Sequence, residues 1–126
     1  MTAYLDLDDL VDIAQLVLEA PPRVRDFGLL SSSAARPATV AFGHEAYPDL
    51  WQKAGALPHS ICMNRALIDG NKRLAWAATR VFLALNDIPI ADVDVDAAEA
   101  FMLGLAGGQL TDVPDIAREL RKLYVA

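Results

Sequence analysis

The chain has 126 residues, 54% of them hydrophobic and 7% aromatic, with 11 basic and 17 acidic side chains and a net charge of −6. That is one ordinary domain with enough apolar side chain for a core, and its acidity argues against general nucleic-acid binding, which needs a basic face. A single cysteine, Cys62, excludes a disulfide framework and a thiolate metal site. No uncharged apolar run reaches the ~18 residues of a membrane span, Arg80 interrupting the best candidate. Residues 1–6 lack the basic and apolar regions of a secretory signal, so a soluble cytoplasmic domain is expected.

Leu7, Leu10, Val11, Ala14, Val17 and Leu18 recur at helical spacing. Asp6 can cap that helix, and Pro21-Pro22 stops it. Asp26 to Arg36 predicts a shorter helix, weakened by Gly28 and three serines. Pro37 to Gly43 has a little β character, enough for a short flap near residues 38–43 but not a sheet. Leu50, Ala54, Leu57 and Ile61 form a helical stripe between Pro48 and Asn64. Pro58 inside it predicts a kink or a break, since an interior proline costs a helix about 3 kcal/mol.

Lys72 to Asn86 is the clearest helix, with Leu74, Ala78, Val81, Phe82 and Leu85 on one face. Ala98, Phe101, Met102 and Leu105 form another stripe, ended by Gly107-Gly108. Thr111 can cap a last helix whose core side is Val113, Ile116, Ala117, Leu120, Leu123 and Tyr124. Its basic residues lie near the C-terminal end, where the helix dipole favours them. With no repeat and no linker, the fold class expected is all-α: one domain over residues 1–126, a compact bundle of roughly six helices.

The chemistry concentrates in Ile68-Asp69-Gly70-Asn71-Lys72-Arg73, at the start of the clearest helix. A helix N-terminus offers unpaired N–H groups and partial positive charge to anions. Gly70 lets backbone approach a ligand closely, Asn71 adds a side-chain donor, and Lys72 and Arg73 supply charge for phosphate oxygens. Asp69 is the carboxylate that suits Mg²⁺, which takes one or two carboxylates with phosphates and water. The same residues also make an ordinary turn and helix cap. They are not a P-loop, because Arg65 and Arg73 replace its first glycine and its Ser or Thr.

The longer segment Arg65-Ala66-Leu67-Ile68-Asp69-Gly70-Asn71-Lys72-Arg73 resembles the active-site motif of the Fic/Doc family, in its Doc (death-on-curing) branch: His-x-Phe-x-Asp-(Ala or Gly)-Asn-Lys-Arg. Leu74 to Asn86 resembles the helix that follows the motif. Ala106 to Leu110 and Ile116 to Tyr124 are similar to the C-terminal end of Doc proteins. Arg25 to Leu30 and Ala35-Arg36-Pro37 are similar to actinobacterial members. The resemblance covers most of the chain.

It implies the Fic/Doc fold and a toxin of a toxin–antitoxin module. Its cofactors would be ATP and Mg²⁺, and its target a threonine of translation factor EF-Tu, phosphorylated to inhibit translation. The partner it implies is a Phd-like antitoxin whose C-terminal segment lies in a groove, with no direct nucleic acid and no membrane. Position by position, Asp69 matches the metal-associated acid, and Gly70, Asn71, Lys72 and Arg73 match the phosphate-binding loop and helix start. Leu67 stands where the motif has Phe, an apolar anchor. Lys72, and Trp76 in place of a second arginine, favour phosphate transfer over the AMP transfer of Fic enzymes.

Arg65 is the departure, because it stands where the family has its catalytic His. A guanidinium stays protonated and cannot accept the hydroxyl proton, so normal transfer activity is expected to be absent or attenuated. A cation there can still hold phosphate. Arg65 is either native to a degenerate toxin or a detoxifying change; the otherwise intact motif favours the second. A non-catalytic antitoxin-binding module is the alternative from another class.

The remaining polar residues take bland readings beside their functional ones. His59 is a buried or capping histidine rather than a substitute base. His44, near Glu45 and Asp49, belongs to a solvated loop rather than a metal site. Cys62 is a core or helix-surface residue, and Trp51 and Trp76 are packing residues. Asp92, Asp94 and Asp96 do not fit a calcium loop.

Overall fold

Aspartates set the helix starts. The carboxylates of Asp6, Asp26, Asp49 and Asp94 accept from the backbone N–H groups of Asp9, Leu29, Gln52 and Ala97 at 2.9, 3.0, 2.8 and 2.9 Å. Each satisfies an N–H that the first turn leaves without a partner. At Asp6 the Asp9 carboxylate also accepts from the Asp6 N–H, closing a reciprocal box. Part of the chain's acidity is therefore used in folding.

The computed structural model describes residues 1–124. It contains α1 (Leu7–Leu18), α2 (Phe27–Ala35), a 3₁₀ turn (Arg36–Ala38), β1 (Val40–Ala41), β2 (His44–Glu45), α3 (Leu50–Asn64), α4 (Asn71–Leu85), α5 (Val95–Ala106) and α6 (Val113–Tyr124). This is the all-α bundle read from periodicity. The flap is an antiparallel hairpin pairing Val40 with Glu45 and Ala41 with His44. Its turn residues, Phe42 and Gly43, both have positive φ (53° and 78°), the conformation a two-residue hairpin turn needs.

α3 is the central element, packed chiefly against α4 and α6 and also against α2 and α5. It runs unbroken through Pro58, so the expected break does not occur. Residues 53–58 are all buried, and tertiary packing around the proline outweighs its local propensity. Gly55 lets α6 pack closely against the same helix. A Cβ there would lie 3.0 Å from Cγ2 of Ile116 and 3.2 Å from the backbone N of Ala117 on α6.

Leu74, Ala78 and Phe82 of α4 are buried as expected, but Leu85 is 53% exposed at the helix end. In α6 the helix begins at Val113, one residue too late for Thr111 to cap it, and the Ile116 N–H bonds to the Asp112 carbonyl. Val113, Ile116, Ala117 and Leu120 are buried, with Leu123 and Tyr124 packed against the core. Trp51 stacks at a tilt on Tyr124, and Trp76 meets Phe101 edge-on, as packing residues do.

Lys53, on α3, is 3% exposed. Its ammonium pairs with the Glu45 carboxylate at 2.9 Å and donates to the Tyr47 carbonyl. The hairpin is thus tied to the central helix at its base while Phe42 at its tip is fully exposed.

Candidate functional site

The segment between α3 and α4 is a loop held from outside itself. The Arg25 and Asp26 N–H groups both donate to the Ala66 carbonyl, at 2.7 and 3.2 Å, and the Ile68 N–H donates to the Arg23 carbonyl at 2.9 Å. Residues 23–26 therefore run antiparallel to 66–68, with Val24 opposite Leu67. Leu67 is 2% exposed, an apolar anchor as expected at that position. From the other side the Asn71 amide accepts from the Leu67 N–H at 3.0 Å and donates to its carbonyl at 2.9 Å. One of the two Asn71 amide hydrogens is thus committed to fastening the loop.

Gly70 precedes α4 with φ +92°, a conformation that a side chain rarely adopts. A Cβ there would lie 2.6 Å from Cδ2 of Leu18 on α1. The close approach that glycine permits here is to α1, a second reason for the residue beyond ligand access. Gly70 gives α4 no side-chain cap, and the first N–H groups of a helix lack helical partners, which suits such a terminus to an anion.

Around that terminus is a cleft of about 410 Å³, lined by Arg65, Asp69, Gly70, Asn71, Lys72 and Arg73. All six residues singled out in the sequence meet in it. Cys62 forms part of the lining and is buried. Burial pushes its thiol up to about 11, even though the nearby Lys72 and Arg65 charges pull the other way. The thiol is therefore protonated and inert at neutral pH.

Arg65 caps the C-terminus of α3 in the left-handed region, φ 47° and ψ 49°. Its carbonyl and that of Asn64 both accept from the Arg25 guanidinium. The Asn64 amide is anchored in turn to Ser33 Oγ at 2.9 Å and Leu29 O at 3.3 Å, on α2. Lys72 reaches Glu99 of α5 at 3.1 Å, both partly exposed. Such a pair is worth at most about 1 kcal/mol, little enough for a phosphate to displace. Among the described residues, neither Arg65 nor Arg73 forms an ion pair.

The donor set fits a nucleotide phosphate chain with its metal. Three cations and a helix terminus would answer the phosphates, and Asp69 is exposed beside them. No cluster of three or more His, Cys, Asp or Glu exists among the described residues, so any cation would rely on one carboxylate together with ligand oxygens, as Mg²⁺ does.

A second cavity of about 280 Å³ adjoins the cleft, sharing Lys72 and Arg73. It lies between α1, α4 and α5, with Val17, Trp76, Val95 and Met102 as apolar walls. Arg80 lies against Trp76, 5.8 Å from the ring centroid, and donates to the Ala91 carbonyl at 2.7 Å.

Other polar residues lie elsewhere. His59 is half-buried beside Arg36 and is not among the cleft residues; its Nδ1 has no partner among the described residues, and burial, then the Arg36 charge, lowers its pKa. His44 is exposed on β2. Asp94 caps α5 and Asp96 lies in its first turn. No described helix is long and apolar enough to cross a membrane. Sequence reasoning missed Arg25, Glu99 and the place of Cys62; only Cys62, three residues before Arg65 on a helix, carried a signal.

Residues 4–83 match the model of the Fic/DOC family. The chain is also 46% identical over 121 residues to Toxin Doc of Mycolicibacterium smegmatis, covering 95% of this chain and 92% of that protein.

Proposed function

The chain belongs to the Fic/DOC family, and from that premise we propose that it is the toxin of a toxin–antitoxin pair, built to transfer phosphate from ATP to a protein hydroxyl. The target is a threonine of EF-Tu, the consequence is arrested translation, and the site of action is the cytoplasm. The observation that carries this reading is the convergence of Asp69, Lys72, Arg73 and residue 65 on one cleft at a helix N-terminus.

Each residue has a role there. The α4 N–H groups, Lys72 and Arg73 bind phosphate oxygens, Arg73 in fork geometry and Lys72 as a mobile point charge. Asp69 would hold Mg²⁺, which when bound supplies neutralisation of phosphate charge. Residue 65 faces the same space and is where the threonine proton has to go. As the oxygen–phosphorus bond forms and the bond to the ADP oxygen breaks, a base at 65 takes that proton, worth roughly 10²–10⁴ in rate. Arg65 cannot accept it. This chain therefore binds nucleotide and transfers poorly or not at all.

A second reading, a non-catalytic antitoxin-binding module, is favoured by Arg65 together with the apolar cavity between α1, α4 and α5. That cavity suits one face of an amphipathic segment from a Phd-like antitoxin. AMP transfer is disfavoured by Lys72 and by Trp76, which packs on Phe101 and offers no second guanidinium.

The test is to incubate the chain and its Arg65→His variant with EF-Tu and ATP labelled at the α or γ phosphate. Label from γ with Arg65→His, and little with Arg65, is the expected result. Label from α would instead support AMP transfer. No label from either, beside tight antitoxin binding, would favour the binding module.

A further inference from the structure

We propose that Arg25 is a positioning residue for the cleft, fixing the backbone from which residue 65 projects. The inference rests on the reading of residue 65 as the place of the proton acceptor. Its observations are independent of that reading.

Residue 65 occupies a left-handed conformation, φ 47°, without being glycine. A residue with a Cβ holds such a conformation only where its surroundings over-determine it. Beside the Asn64 and Asn71 anchors, the surroundings here include one segment, 23–26, lying far from residue 65 in sequence. Its backbone pairs with Ala66 and Ile68, which fixes the chain just after residue 65. The Arg25 guanidinium bonds the carbonyls of Asn64 and Arg65 themselves, which fixes the peptide planes on either side of that residue's Cα. These are also the last carbonyls of α3, which lack helical partners and carry the negative end of its dipole, so a guanidinium is the favoured group.

Among the described residues, the side-chain hydrogen bonds of Arg25 go to these two carbonyls alone, and it forms no ion pair. Its effect on the reaction is therefore through the direction of the residue 65 side chain. A misplacement of about 1 Å at a reacting group costs on the order of 100-fold in rate. Lysine keeps the charge but not the fork that spans two carbonyls, so it preserves the placement only in part.

The experiment has two arms. In the chain as it stands, NMR reads the left-handed backbone at residue 65 from its φ-dependent coupling and intraresidue Hα–HN contact. Arg25→Ala is expected to average that conformation away, and Arg25→Lys to retain part of it. In the Arg65→His background, Arg25→Ala is expected to lower kcat about 10–100-fold, with KM for ATP within about twofold and an unchanged far-UV spectrum. Arg25→Lys is expected to fall between. Retention of the left-handed conformation in Arg25→Ala overturns the proposal. So does an unchanged kcat, or a loss carried by KM. Should Arg65→His transfer no label at all, the functional reading falls, while the NMR arm still decides whether Arg25 sets residue 65.

Discussion

On the proposed function, Arg65 separates binding from chemistry at the residue scale. Its guanidinium shares the cleft with Lys72 and Arg73, so it would hold phosphate and be unable to take the proton. Arg65→His is expected to raise transfer by roughly 10²–10⁴ and to weaken nucleotide binding; γ-label incorporation and ATP titration measure the two effects. His59 gives a second prediction. Burial, with help from Arg36, holds its folded pKa below 6.5, so as pH falls the unfolded chain takes up the proton first. The stability tied to neutral His59 is then present above about 6.5 and lost as pH drops through the folded value. His59→Gln is expected to flatten the fall in urea midpoint between pH 7 and pH 5. An equally steep fall in the variant would assign the acid sensitivity to other groups.

At the scale of elements, packing decides what local propensity leaves open. Pro58 lies inside α3 without breaking it because the helix is enclosed by its neighbours. Gly55 on the same helix permits α6 to approach, with Ile116 and the Ala117 backbone filling the space a methyl group would need. Gly55→Ala, which would be favourable in an exposed helix, is here expected to destabilise the chain by about 1–3 kcal/mol through overpacking. Urea unfolding at constant m-value reads that loss, and a gain in stability would mean that α6 yields freely. The hairpin shows the same principle. Two residues per strand cannot hold themselves in water, and the buried Lys53 with its Glu45 and Tyr47 contacts supplies the anchor.

For the whole molecule, the cleft at the head of α4 and the cavity between α1, α4 and α5 are adjacent and share two cations. A partner segment seated in the cavity binds the folded state alone and so stabilises it, by about 2.7 kcal/mol at 100 times its Kd. The C-terminal peptide of a Phd-like antitoxin at that concentration is expected to raise the melting temperature by roughly 10 °C. Trp76→Ala, which strips one wall of the cavity, is expected to reduce the rise. An equal rise with Trp76→Ala would place the peptide on another face. The bundle, the capping of its first helix and the constellation from Asp69 to Arg73 were legible in sequence. Helical periodicity and a turn at a helix start are local patterns, complete within a few residues. Arg25, Glu99 and Leu18 were not legible as parts of the site, because their partners lie 39 and 40, 27 and about 52 residues away.

The sequence by itself determined that the chain is helical, that a carboxylate, an amide and two cations gather at a helix start, and that residue 65 before them is an arginine. These follow from residue type and spacing, which the chain carries whatever its fold. Only the tertiary structure decided that Gly70 sits at positive φ beside Leu18, that Lys72 rests on Glu99, and that residues 23–26 pair with the backbone just after residue 65, itself left-handed. Each depends on two segments meeting across the core, and distance along the chain carries no signal of that meeting.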